Sequence, residues 1–157
     1  MSPLESHSDT SVSEARIDDL PAYSALLTAA GLPPAGLADC WRHALVLREG
    51  ERVVGGVALE VYEEAALLRS LVVAPHLRGR GLGERLTDAA LRLAAASGAR
   101  EVGLLTESAA DFFARRGFLP VAREAVPQVL HASVQFRTAC PQSAQAMTRR
   151  IDTAHSR

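Results

Sequence analysis

Arg78-Gly79-Arg80-Gly81-Leu82-Gly83 packs two arginines and three glycines into six residues. The apolar run Leu67-Leu68-Arg69-Ser70-Leu71-Val72-Val73 and the turn Ala74-Pro75-His76-Leu77 precede it, and a helical pattern follows. Strand, glycine-rich turn and helix together hold a pyrophosphate, because backbone N–H groups converge where the helix dipole favours an anion. Two nucleotide-binding patterns fail here. A dinucleotide fingerprint needs G-x-G-x-x-G; counted from Gly79 its third glycine falls on Glu84, and counted from Gly81 it falls on Leu86. A mononucleotide loop needs Gly-Lys, and all 17 basic residues of the chain are arginine. What is left is Arg78-x-x-Gly81-x-Gly83, an anion cradle of another kind or an ordinary glycine-rich turn.

The elements around this turn are readable from periodicity. Ala15-Arg16-Ile17 reads as a short first strand that turns into a helix, which carries Pro21 in its first turn, continues through Tyr23, Leu26, Leu27 and Ala30, and stops at Gly31. Pro33-Pro34 opens a second short helix through Leu37. Ala44 to Arg48, Val53 to Val61 and Leu67 to Val73 then alternate as strands, joined at Glu49-Gly50-Glu51-Arg52 and at Tyr62-Glu63-Glu64-Ala65, which makes an antiparallel meander. If Glu63-Glu64 is a two-residue loop, Ala58, Glu60, Tyr62 and Arg69 share one sheet face, and Val57, Leu59, Leu68 and Val72 take the other. The first face thus carries charge at its middle.

Leu82, Leu86, Ala89, Ala90, Leu93 and Ala94 form an apolar helical stripe that ends near Gly98. The next strand, Glu101 to Thr106, closes a crossover that requires parallel pairing. A short helix over Ala109 to Arg116 stops at Gly117-Phe118, and Val134 to Arg137 and Ala144 to Arg150 are expected as the last strands. The fold class is α/β in the α+β sense: a mixed, mostly antiparallel central sheet flanked by helices. Residues 1–13 are expected as a disordered leader, 14–151 as a single domain and 152–157 as a tail.

With 157 residues, 48% hydrophobic and 22% charged, the chain is long enough to bury a core. A formal net charge of −1 advertises neither nucleic acid nor an anionic membrane. Cys40 and Cys140 make no metal-ligand spacing, so no metal is expected and both thiols are read as reduced. The polar stretch Ser2 to Ser13 lacks the features of a signal peptide, and no apolar run reaches a membrane span. A cytoplasmic location is expected.

Arg78-x-x-Gly81-x-Gly83 after Val73-Ala74-Pro75 resembles the acetyl-CoA signature of the GNAT N-acetyltransferase superfamily, and Ala110 to Phe118 resembles that family's helix ending in Gly-Phe. The element order from Ala15 to Arg150 is similar throughout. The resemblance implies acetyl-CoA as co-substrate. Leu71, Val72 and Val73 would pair with the pantetheine arm and polarise the thioester carbonyl. Amides of Gly79, Arg80, Gly81, Leu82, Gly83 and Glu84 would hold the pyrophosphate, with charge from Arg78 and Arg80. Members of the family often carry a tyrosine as general acid where this chain has Phe113. A thiol with a pKa near 8.5 is nevertheless a tolerable leaving group.

Leu104 to Phe113 resembles the N-acetylglutamate-synthase type of amino-acid acetyltransferase. Together with Leu68 to Val73 and Gln135 to Pro141, it makes the chain similar to the arsenic-resistance N-acetyltransferases of the second type. The implied partner is a small-molecule amine, an amino acid or an analogue such as an arsenical, with homodimerisation left open.

Such an acceptor carries a carboxylate. Arg69 lies mid-strand, where a charge is costly unless paired, and a forked guanidinium suits a carboxylate. Arg69 therefore either anchors the substrate or pairs internally with Glu60. Glu60 is either a general base, directly or through water, or that partner. Gln135 and Arg137 are candidates for a second anchor, with a solvated surface role as the alternative for Arg137. Tyr62 is read as a hairpin-end aromatic and Cys140 as packing. Two other functions stay open: a CoA- or amino-acid-binding sensor without turnover, and an acetyltransferase of protein N-termini.

Overall fold

Apolar runs buried on both faces build the central strands, and glycines and acidic pairs turn them. The computed structural model describes residues 10–151. Among these, the strands are β1 (Thr10–Glu14), β2 (Ala44–Glu49), β3 (Arg52–Tyr62), β4 (Ala65–Val73), β5 (Glu101–Thr106), β6 (Leu119–Val121) and β7 (Gln145–Arg150). The α-helices are α1 (Leu20–Ala29), α2 (Leu82–Ala96) and α3 (Ala110–Arg115). The strand order is β1-β2-β3-β4-β5-β7-β6. Strands β4 and β5 run parallel, joined through Ala65↔Glu101 to Leu67↔Gly103, as the crossover over α2 requires. The expected α/β class and mixed sheet are those observed.

Several expectations need correction. Residues 10–13, read as leader, belong to β1, which pairs antiparallel with β2 through Val12↔Leu47. A polar edge strand has little apolar signal of its own and is held by its neighbour's ladder. The first strand therefore precedes Ala15, and Ile17–Asp19 is a 3-10 turn. The helix expected from Pro33-Pro34 starts later, as a 3-10 segment over Leu37–His43 behind the left-handed Gly36. Val134 to Arg137 is not a strand; Gln135–Ala139 forms a single π-helical turn. Ser133 Oγ accepts the Gln135 N–H at 3.1 Å there, and Phe136 turns into an apolar cluster. The strand beside β7 is β6 instead, through Leu119↔Thr148. The leader before residue 10 and the tail 152–157 lie outside the described residues.

The chain gathers into two compact units. The first takes the residues up to Ala58 with Ser70–Ala90, and the second takes Leu59–Arg69 with the residues from Leu91 onward. In the first, Tyr23 and Leu27 of α1 pack with Leu37, Val46, Ala58 and Val72. In the second, Leu67, Val126, Leu130, Phe136 and Ala146 form the cluster.

Ser70 marks a break within β4, with φ of 62°. Left-handed backbone in a strand costs an L-residue about 1–2 kcal/mol and interrupts the alternation of faces. Val72, expected with Val57 and Leu59, accordingly joins the cluster that contains Ala58.

Candidate active site

In the first unit, β4 ends in the 3-10 turn Pro75–Leu77, and the glycine-rich turn follows. The Arg78 Nε–H donates to the Val73 carbonyl at 3.0 Å, closing this corner. Gly79 and Gly81 have φ of 81° and 77°, the left-handed region where glycine alone is unstrained. A Cβ built on either would meet nothing within 4 Å, so the turn is open on its outer side. Arg78, Arg80 and Glu84 are exposed, Leu82 is buried, Gly83 is half-buried, and Val72 is buried between the half-buried Leu71 and Val73. The first-turn amides of the 15-residue α2 have no intrahelical acceptor. An open turn flanked by arginines at such a helix start fits a pyrophosphate.

In the second unit, Arg69 and Glu60 are brought together. Arg69 Nη1 donates to Glu60 Oε2 at 2.8 Å, with side chains 1% and 11% exposed. The Tyr62 hydroxyl donates to Glu60 Oε1 at 2.6 Å, so both carboxylate oxygens are engaged. Of the two readings of Arg69, the ion pair is the one present in the geometry. Tyr62 is more than a hairpin-end aromatic, since its hydroxyl orients that carboxylate.

Gln135 is buried at 6% exposure. Its Oε1 accepts the Cys140 thiol at 3.1 Å, while its Nε2 is buried with no hydrogen-bond partner among the described residues. Burial pushes the Cys140 thiol above its ordinary range; Arg123 and Arg69 pull the other way, and Glu107 adds to the rise. Cys140 is therefore a neutral thiol near neutral pH that fixes the Gln135 amide, rather than simple packing. Arg123 had no sequence signal. It donates to the carbonyls of Pro141 and Phe136, and its Nε is a second buried donor without a partner among the described residues. Arg137 is exposed and is not drawn into this cluster.

Phe113 is buried edge-on against Phe112 and Phe118, at centroid distances of 5.0 and 5.6 Å. A phenyl ring there offers no proton. Neither Cys40 nor Cys140 is in a disulfide. Among the described residues no three His, Cys, Asp or Glu side chains gather as a metal site, and no helix is long and apolar enough to cross a membrane.

Comparison with solved structures supports the fold. N-acetylglutamate synthase from Neisseria gonorrhoeae, in complex with coenzyme A and N-acetyl-glutamate, superposes with a TM-score of 0.77 at 21% identity, covering 90% of this chain. This chain spans only 35% of that protein. Rv2747 from Mycobacterium tuberculosis, in complex with CoA and NLQ, gives 0.76 at 22% identity, covering 90% of this chain and 99% of that one. An acetyltransferase from Streptococcus agalactiae gives 0.72 at 18% identity, covering 91% and 99%. The family model for the acetyltransferase (GNAT) domain matches residues 40–120, more than half of the 157 residues. That stretch runs from the meander through the glycine-rich turn to the Gly117-Phe118 stop, and on it the chain belongs to the GNAT acetyltransferase family.

Proposed function

We propose that the protein transfers the acetyl group of acetyl-CoA to the amine of a small amino acid or amino-acid analogue by direct attack. The observation that carries the acceptor half is the buried Nε2 of Gln135, which has no partner among the described residues. Burying an N–H group without a partner costs about 1–3 kcal/mol, and an acceptor oxygen on a ligand would recover it. An amino-acid carboxylate offers such an oxygen. The positive charge of Arg69, itself held by Glu60, favours the same ligand. The gonococcal synthase, complexed with coenzyme A and N-acetyl-glutamate, is consistent with this class.

On the donor side, the amides from Gly79 to Glu84 with Arg78 and Arg80 take the pyrophosphate, and the backbone of Leu71, Val72 and Val73 takes the pantetheine arm and thioester carbonyl. The amine nitrogen forms a bond to the acetyl carbon, the carbon–sulfur bond breaks, and the thiolate leaves. Glu60, with both oxygens engaged, would accept the amine's proton only through water. The thiolate takes its proton from water, since Phe113 has none to give. Arg137, exposed, stays outside the acceptor set. This reading carries a cytoplasmic location and includes arsenical amino acids among the acceptors to be tried.

Thiol release from acetyl-CoA across a panel of amino acids, arsenical analogues and N-terminal peptides tests the proposal. Release stimulated by a free amino acid is expected; stimulation by peptides alone would overturn the small-acceptor assignment. Phe113 favours one second reading, a sensor that binds acetyl-CoA without turnover. Tight binding with no release for any amine would establish that reading instead.

A further inference from the structure

Within β4, ahead of the glycine-rich turn, lies a contact with no part in the acyl transfer itself. Tyr23 of α1 is fully buried at 0% exposure. Its hydroxyl donates to the Ser70 carbonyl at 2.7 Å. Ser70 is the left-handed residue of β4, so the tyrosine meets the strand where the alternation breaks. The neighbouring strand is shaped for this contact. A Cβ on Gly56 would stand 2.6 Å from Tyr23 Cζ, and one on Gly55 would stand 2.7 Å from the Val72 carbonyl. Two consecutive glycines in a strand interior are unfavourable in themselves, and here they clear the seat of the ring and the approach of β4. After the break, the Ala74 N–H donates to the Val54 carbonyl at 2.8 Å, which fixes the far end of the segment.

We infer that Tyr23 is a positioning residue for acetyl-CoA: its hydroxyl holds the left-handed Ser70 and so sets the backbone of Leu71, Val72 and Val73. The inference rests on the reading that this backbone receives the pantetheine arm. The hydroxyl gives the carbonyl at the break a hydrogen bond across to α1 and so offsets part of the strain of the left-handed residue. Without it, the strained form is one of several, and the affinity for acetyl-CoA falls by the fraction of molecules that retain it.

Tyr23→Phe keeps the ring in its seat and removes only the bond. Isothermal calorimetry should show acetyl-CoA binding about tenfold weaker, as one lost bond of this kind implies. The KM for acetyl-CoA should rise in parallel, with the amine KM unchanged. A merely structural hydroxyl would lower Tm and leave both constants where they were. Ser70→Gly supplies the rescue, because glycine adopts the left-handed conformation without help. The Tyr23→Phe, Ser70→Gly double variant should recover affinity to within about threefold of the unaltered chain. Unchanged affinity in Tyr23→Phe, or a double variant no better than Tyr23→Phe, would overturn the inference while the unaltered chain still binds. If the unaltered chain itself gives no acetyl-CoA binding, the donor assignment is what fails, and the inference goes with it.

Discussion

The glycine-rich turn and the Arg69 cluster are built on opposite principles. The turn, over Arg78 to Glu84, is local, largely exposed and made of main-chain amides; its two positive-φ glycines meet nothing on the side a Cβ would fill. The cluster is buried and made of side chains: Glu60 and Tyr62 on β3 with Arg69 on β4, and Gln135 of the π-helical turn bonded to Cys140, whose thiol feels the Arg69 charge. A site made of backbone can take only what all such backbones take, an anion with a repeating geometry. A site made of side chains can be specific, and its buried charges make it sensitive to every substitution.

Arg69→Ala should have the largest effect on the protein. It strands Glu60 without its partner, and loss of one member of a buried pair costs about 3–5 kcal/mol of stability, readable as a lowered urea midpoint. Arg69→Met with Glu60→Leu separates packing from recognition. Stability should return, because a buried pair exchanges for apolar groups at little cost, while the amine KM stays about tenfold or more above normal. A double variant with normal amine KM would reduce the cluster to a structural ion pair.

Gly81→Val tests the turn in the same way. The substitution forces a branched residue to φ of 77° in open space. Acetyl-CoA binding should weaken about 100-fold, equivalent to about 2.7 kcal/mol, with circular dichroism unchanged. Equal affinity in calorimetry would remove the pyrophosphate assignment.

The first unit holds an ion pair of its own. Arg48 Nη2 donates to Asp19 Oδ2 at 2.7 Å, and the hydrogen bond from Arg48 is the largest cause that holds the Asp19 carboxyl below its ordinary value, against the opposing effect of burial. A depressed folded pKa stabilises the fold above the unfolded value, and the contribution disappears as pH falls from about 4 through the folded pKa. Asp19→Asn should therefore cost about 2 kcal/mol at pH 7 and flatten the acid limb of stability against pH. An unchanged acid limb would discount the pair.

The smallest effect is expected at Gln135→Met. Replacing an amide whose buried Nε2 has no partner among the described residues removes that cost together with the Cys140 bond, so stability should rise by less than about 1 kcal/mol, while the amine KM rises. A gain in stability with no change in KM would make Gln135 a packing residue.

The two regions also differed in how far they could be read beforehand. The turn's spacing, the α2 stripe and the Gly117-Phe118 stop are contiguous patterns, and the structure has each as an element where the pattern lies. The face shared by Glu60, Tyr62 and Arg69 followed from a period of two and a two-residue loop, and the ion pair agrees with it. Residues 10–13 failed as leader because a polar edge strand is specified by its neighbour. Val134 to Arg137 failed as a strand because the local bond from the Gln135 N–H to Ser133 Oγ and the burial of Phe136 outweighed β-propensity. Arg123 and the Cys140–Gln135 bond left no trace, since nothing in the spacing ties Cys140 to the amide it fixes.

From its order alone, the sequence determined the strand–turn–helix unit, the meander and the parallel crossover, because these depend on periodicity and on glycine where the backbone must turn left-handed. Only the tertiary structure decided what the buried polar groups do. Tyr23 looks like one more apolar position of α1 until Ser70 adopts its left-handed conformation and presents a carbonyl to it. Gln135 looks like one more residue of a last strand until burial leaves its Nε2 with no partner among the described residues. Backbone preference is a property of neighbours in the chain; hydrogen-bond satisfaction is a property of neighbours in space.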